Sequence, residues 1–288
     1  MIKDRNGRII QSDSGQDKAL DFLYNTIFGR ILLKVLTASV ISEIAGKFMD
    51  SPLSVPIIKP FIRKSGINLS EYHKKKYKSF NDFFTRKIRP ELRPIDMSAE
   101  SLISPCDSKL TVYKINNKSI FRIKNSYYRI SDLLRNDFIA RRYKGGYCMI
   151  FRLCVDDYHR YCYIDNGTKT ENVHINGELH TVNPIALERY NIYKRNSREY
   201  TMLHTENFGD VVYIEVGAML VGRIKNHHLH THTVVKGAEK GMFEYGGSTV
   251  VLLFEKNTVS VDKDILANSA QGYETVVRCG EKIGKKKL

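Results

Sequence analysis

Apolar residues recur at three- and four-residue spacing early in the chain. Leu20, Leu23, Tyr24, Ile27, Phe28, Ile31, Leu32, Val35 and Leu36 make one stripe, with Arg30 and Lys34 between its members. That period predicts a helix over residues 16–49. Two roles are open to it: packing on the rest of the protein, or lying in a membrane interface with its apolar face in lipid. A membrane span is not expected, because Arg30, Lys34 and Glu43 interrupt residues 27–44 where a span needs about 20 mostly apolar residues. The apolar run 53–62 holds Pro56 and Pro60, which predicts a hydrophobic loop or a pair of short helical turns. Lys74, Lys75, Lys76 and Lys78 follow as a basic run, read as a solvated linker.

From about Phe80 the helical period gives way to short β-branched or aromatic runs bounded by Gly, Asn and Asp. Residues 147–153, 211–216, 218–224 and 248–254 are the clearest strands. Only short helices are expected among them, around residues 130–136 and 263–267. The pattern predicts an α+β protein: a helical N-terminal region, residues 1–78, followed by a mostly antiparallel β body, residues 79–288.

Composition changes this picture in two places. The 46 Lys+Arg exceed the 31 Asp+Glu to give +15, an excess that favours a polyanionic partner, either nucleic acid or an anionic lipid surface. No zinc-finger, helix-turn-helix or RRM signature accompanies the charge, so nucleic acid is not expected. The five cysteines, Cys106, Cys148, Cys154, Cys162 and Cys279, are odd in number and contain no CxxC pair. That usage fits a reducing compartment and argues against a disulfide framework. The first ten residues lack the apolar core of a signal peptide.

Several segments gain meaning when read in order. Phe80-Asn81-Asp82-Phe83-Phe84-Thr85-Arg86-Lys87 is followed by Arg93-Pro94-Ile95-Asp96 and Ser104-Pro105-Cys106-Asp107. Phe151-Arg152-Leu153 precedes Asp157-Tyr158-His159-Arg160, then Val182-Asn183-Pro184, Asn207-Phe208-Gly209 and Glu215-Val216-Gly217-Ala218. Residues 236–243 lead into Gly246-Gly247-Ser248-Thr249-Val250. This ordered set resembles the phosphatidylserine decarboxylase family, with Ser108 standing where that family usually has Gly. On its own the Gly-Gly-Ser-Thr stretch would be read as a turn before a strand.

The resemblance implies that residues 79–288 form a decarboxylase domain that cuts its own Gly247–Ser248 bond. Gly247, without a Cβ, leaves its carbonyl open to close approach, and the Ser248 hydroxyl would attack it as an internal nucleophile. Ser248 would become a pyruvoyl group at a new N-terminus, an electron sink in the place a pyridoxal cofactor fills elsewhere. The implied reaction is phosphatidylserine to phosphatidylethanolamine, at an anionic membrane. Carried over with it are Asp107 as an activator of the serine, and His159 as a proton donor or carboxylate partner in decarboxylation.

One position departs from the pattern. Cys162 stands where the family usually has a second histidine that activates the serine. Either Cys162 itself, with its thiol pKa lowered by a nearby cation, or a histidine from elsewhere, His180 being the candidate, could supply the base. A non-catalytic or poorly processed lipid-binding homologue is the alternative. Arg86 and Lys87 are candidates for the substrate phosphate, with His180 also placed near substrate. His227, His228, His230 and His232 lie in one loop without Cys, Asp or Glu among them, so no metal site is expected. The resulting expectation is a peripheral membrane enzyme on a cytoplasmic face, with the homo-oligomeric state left open.

Overall fold

The computed structural model describes residues 1–10, 22–23, 25–26, 29, 39–73, 76–123, 126–178, 180–181, 192–218, 223–245 and 248–287. Its centre is a large sheet containing Ser108–Lys114, Tyr147–Leu153, Arg198–Thr205, Asp210–Val216, Ser248–Phe254 and Glu274–Val277. The order across the middle runs Arg198–Thr205, Asp210–Val216, Ser248–Phe254, Tyr147–Leu153, Ser108–Lys114, Glu274–Val277. Among the described strand pairings every one is antiparallel except that of Ile2–Lys3 with Glu274–Val277, and the isolated bridge of Glu178 with Asn196 is also parallel. The architecture is therefore α+β with a mainly antiparallel body.

Both faces of this sheet are covered, so its central strands read as continuous apolar runs rather than alternating ones. Val251 and Leu253 pack into one core with Cys148, Ile150, Val212 and Ile214. The intervening Val250, Leu252 and Phe254 pack into the other with Met149, Phe151, Leu153 and Tyr213, the two-residue period of a strand. The first face is closed by the short helices Ile130–Leu134, Asp137–Arg142 and Ile192–Arg195. Over the second lie the three-stranded sheet of Ile224–Asn226, Glu239–Phe243 and Arg160–Cys162, and the helix Lys263–Ala270.

Several expected elements take modified forms. The helix of residues 16–49 is described as Ser39–Asp50, and most of the remainder lies outside the described residues. Residues 53–62 form helical turns, a 3-10 stretch Pro52–Ile57 running into the helix Ile58–Ser65. Of the strand expected at 218–224, residues 219–222 lie outside the described residues; Ala218 and Arg223 are not in strand, and Ile224 opens the strand Ile224–Asn226. The N-terminal residues join the body, since Arg5 binds Asp262 (2.9 Å), Asp264 and Glu281 (3.0 Å).

The layer between the two sheets holds a buried charge pair. Lys240 Nζ donates to Glu215 Oε1 at 2.6 Å and to Asn226 Oδ1 at 2.8 Å, with both charged side chains essentially inaccessible. Removing one member strands the other in low dielectric, so Glu215→Ala is expected to lower the unfolding free energy by about 3–5 kcal/mol. Chemical denaturation with an unchanged m-value checks this, and an unchanged midpoint would contradict it.

Candidate active site

Four segments meet at the edge of the second core. The helix Phe80–Phe84 is started by Ser79, whose Oγ accepts Asp82 N–H at 3.1 Å, and by Ser54, whose Oγ accepts Phe80 N–H at 2.8 Å. These caps satisfy the helix's first donors and leave three phenylalanines facing inward. Phe84 lies against the His159 ring at 4.1 Å and the Tyr245 ring at 5.3 Å. Asn81 Oδ1 accepts Tyr245 N–H at 2.8 Å. One short helix thus clamps both His159 and the chain leading into Ser248.

Ser248 opens the strand Ser248–Phe254, opposite Leu153, and is fully buried. Among the described residues its Oγ has no hydrogen-bond partner. An unpaired buried hydroxyl costs about 1–3 kcal/mol, and such orphans call for a functional explanation. Gly247 lies outside the described residues.

His159 is also fully buried. Its Nδ1 lies 3.0 Å from the Asp157 carbonyl, and its Nε2 has no partner among the described residues. Burial, reinforced by the positive charge of Arg86 and only partly offset by the Asp157 carbonyl, pushes the imidazole down to about 3. The ring is therefore neutral, a proton acceptor at Nε2. Nearby, both Asp157 oxygens accept Lys109 Nζ at 2.7 Å. Burial works against the Lys109 charge, but Asp157 outweighs it and holds the ammonium above its ordinary value.

Asp107 is buried and fully engaged. Arg93 grips it with Nε at 2.8 and 3.0 Å and Nη2 at 2.6 Å, the fork geometry that suits carboxylates. Cys279 N–H donates to the same carboxylate at 2.8 Å. Pairing of Val277 with Ser108 brings these distant segments together. Gly280, at φ +82, completes the turn, and a Cβ there would lie 2.6 Å from Ile95. The Arg93-Pro94-Ile95 segment thus seats its isoleucine on a glycine while its arginine reaches Asp107. Arg93 and Cys279 were not foreseen as site residues; Arg93 had a motif signal, Cys279 none.

Cys162 is buried in the same core as Leu153, Val250 and Cys279. Its Sγ lies 3.7 Å from Cys279 Sγ, and its N–H donates to Pro105 O at 2.9 Å. The Cys279 thiol, by its contact with Cys162 and by burial, is pushed well above the ordinary range. Asp107, Cys279 and Cys162 therefore form one connected group. His180 is buried elsewhere: Nε2 meets Glu178 Oε2 at 2.7 Å, its N–H donates to Asn196, and burial lowers its pKa.

Arg86, a candidate for the substrate phosphate, lies inside the protein. It is only 3% exposed and turned inward, with its guanidinium over the rings of Tyr72 (4.4 Å) and Phe83 (5.0 Å). Lys87 is exposed. Of the loop histidines, His228 and His232 stack at 3.8 Å, and no group of three metal-ligating side chains occurs among the described residues. The Val182-Asn183-Pro184 segment lies outside the described residues.

Known proteins place this arrangement. Residues 80–285 match the family described as "Phosphatidylserine decarboxylase". The chain is 51% identical to "Phosphatidylserine decarboxylase proenzyme 2" of Clostridium acetobutylicum, with 92% of this chain and 91% of that protein covered. It is 46% identical to a "Phosphatidylserine decarboxylase proenzyme" of Clostridium tetani, covering 96% and 94%. A protein of the same name from Ruminiclostridium cellulolyticum is 42% identical over 99% of this chain and 97% of its own length. With the family match spanning the whole body that carries Asp107, His159 and Ser248, the chain belongs to the phosphatidylserine decarboxylase family.

Proposed function

We propose that this chain is a proenzyme that cuts itself between Gly247 and Ser248, converts Ser248 to a pyruvoyl group, and decarboxylates phosphatidylserine to phosphatidylethanolamine. The observation that carries this reading is the buried Ser248 Oγ, without a partner among the described residues, on a fully buried strand, in a member of this family. Attack by Oγ on the Gly247 carbonyl forms an ester and breaks the C–N bond, freeing the Ser248 nitrogen. Elimination then releases the Gly247 carboxylate, and water displaces the nitrogen as ammonia. The ketone so formed would supply the electron sink for loss of the substrate carboxylate. His159, neutral at Nε2, then handles the proton, while Phe84 covers one face of its ring. Lys87, which is exposed, and Arg86 remain the candidates for the substrate phosphate.

For activation of Ser248, the connected group Asp107–Cys279–Cys162 supports Cys162 over His180, whose Nε2 is taken up by Glu178. If the thiol is a slow substitute for imidazole, Cys162→His is expected to speed self-cleavage several-fold. Pulse-chase on denaturing gels reads this, and a slower or unchanged rate would remove Cys162 from the step. The primary test is intact-mass analysis: the reading requires fragments 1–247 and 248–288, the second lacking a free amine, and CO₂ release from phosphatidylserine. An uncut, inactive chain would overturn it in favour of a non-catalytic homologue.

The same reading places the chain peripherally on an anionic membrane, at a cytoplasmic face. Ile44, Phe48, Leu53 and Val55 are exposed on the Ser39–Ser65 helices, with exposed Lys47, Lys59, Arg63 and Lys64 among them. Each basic residue at such a surface contributes about 1 kcal/mol. No helix among the described residues is long and apolar enough to cross a membrane.

A further inference from the structure

Arg86 is a buried guanidinium with no carboxylate hydrogen-bonded to it among the described residues. Its Nη2 donates to Tyr72 Oη at 3.2 Å and to the carbonyls of Asp156 at 3.3 Å and Asp157 at 3.4 Å, its Nη1 to the Phe84 carbonyl at 3.4 Å. These bonds are long, and Nε has no partner among the described residues. Stacking against Tyr72 and Phe83 supplies part of the compensation. Keeping a cation in such a place costs desolvation energy, which asks what the charge does there.

The Asp157 carbonyl supplies the answer, because it also receives His159 Nδ1 at 3.0 Å. A carbonyl oxygen has two lone pairs, so this one can accept from the guanidinium and the imidazole together. We propose that Arg86 is the positioning residue for His159: it fixes the carbonyl to which Nδ1–H donates, and so leaves Nε2 bare as the proton-accepting atom. The cation acts a second way, since a positive charge beside the ring opposes its protonation. The other charged groups around the ring are Lys109, its partner Asp157, and the neighbouring Asp156. Phe84 covers a ring face and carries no charge. The inference rests on the reading that His159 handles the reaction's proton, but its geometry concerns the uncut chain alone.

The test uses nitrogen-15 histidine NMR on the full-length, uncut Ser248→Ala chain, with the His159 signals among the nine histidines assigned by their loss in His159→Gln. Between pH 5 and 8 the ring is expected to stay neutral in the form protonated at Nδ1. Adding Arg86→Gln is expected to raise its titration midpoint by about one pH unit or more and to populate the Nε2-protonated form. Arg86→Lys, which returns the charge without the fork, should hold the midpoint down while loosening the tautomer. An unmoved titration in a folded Arg86→Gln chain overturns the proposal. So does an Nε2-protonated or cationic ring at pH 7 in the Ser248→Ala chain itself, a result that does not depend on whether the Arg86 variants fold. None of these signals needs cleavage or activity, so they fail separately from the proposed function.

Discussion

A Ser248→Ala chain is expected to run as a single band at the full 288-residue length and to release no CO₂ from phosphatidylserine. On the proposed reading nothing else in the chain can replace the missing atom, because Oγ would be both the nucleophile of the cut and the oxygen lost when the pyruvoyl group forms. The loss should be complete rather than partial. Most substitutions that abolish activity are open to the objection that the protein is damaged, and here the structure answers it. Ser248 Oγ is buried without a partner among the described residues, so deleting it removes a polar group those residues leave unsatisfied and opens only a small void. The variant should therefore be at least as stable as the parent, by up to about 1–3 kcal/mol. Cleavage persisting in Ser248→Ala would put the scissile bond elsewhere; lost cleavage with a sharply lower midpoint would mean that the hydroxyl has a structural partner.

How much of this was legible in the sequence depended on range. The strands 147–153 and 248–254 were found with their observed bounds, because a strand buried on both faces writes itself as an uninterrupted apolar run. The strand Asp210–Val216 stops at Gly217, a poor strand former. The helix Asp137–Arg142 was missed, since six residues are too few to show a period.

In the site, Ser248, His159 and Asp107 were visible through ordered motifs, and the chemistry of each residue type agreed. Their partners were not. Cys279 is 172 residues from Asp107, and only the pairing of Val277 with Ser108 brings them together. The burial of Arg86 was hidden for a related reason. A charged residue in a short motif is expected at the surface, and nothing local says that Tyr72 and Phe83 will flank it. Sequence motifs named the candidate residues; the three-dimensional pairing set what surrounds each of them.

His159→Gln makes that distinction measurable. Glutamine can still donate to the Asp157 carbonyl, but it has no titrating nitrogen, so decarboxylation is expected to fall by about 10²–10⁴-fold, the range for a lost acid–base group. Self-cleavage should continue, because His159 is assigned to the later step; a chain that no longer cuts would move the residue to serine activation. The same variant tests the buried ring through stability. His159 is pushed from an ordinary 6.5 to about 3 in the folded chain, so between those values the unfolded chain binds more protons. Stability from the neutral ring is then complete above about pH 6.5 and is lost as pH falls toward 3, by at most about 1.4 kcal/mol per pH unit. His159→Gln should flatten the acid side of the curve of unfolding free energy against pH. The Lys109–Asp157 pair is present in both proteins, so the difference between their curves isolates the imidazole. Parallel curves would show that the ring titrates normally, and that its open Nε2 reaches solvent before any substrate arrives.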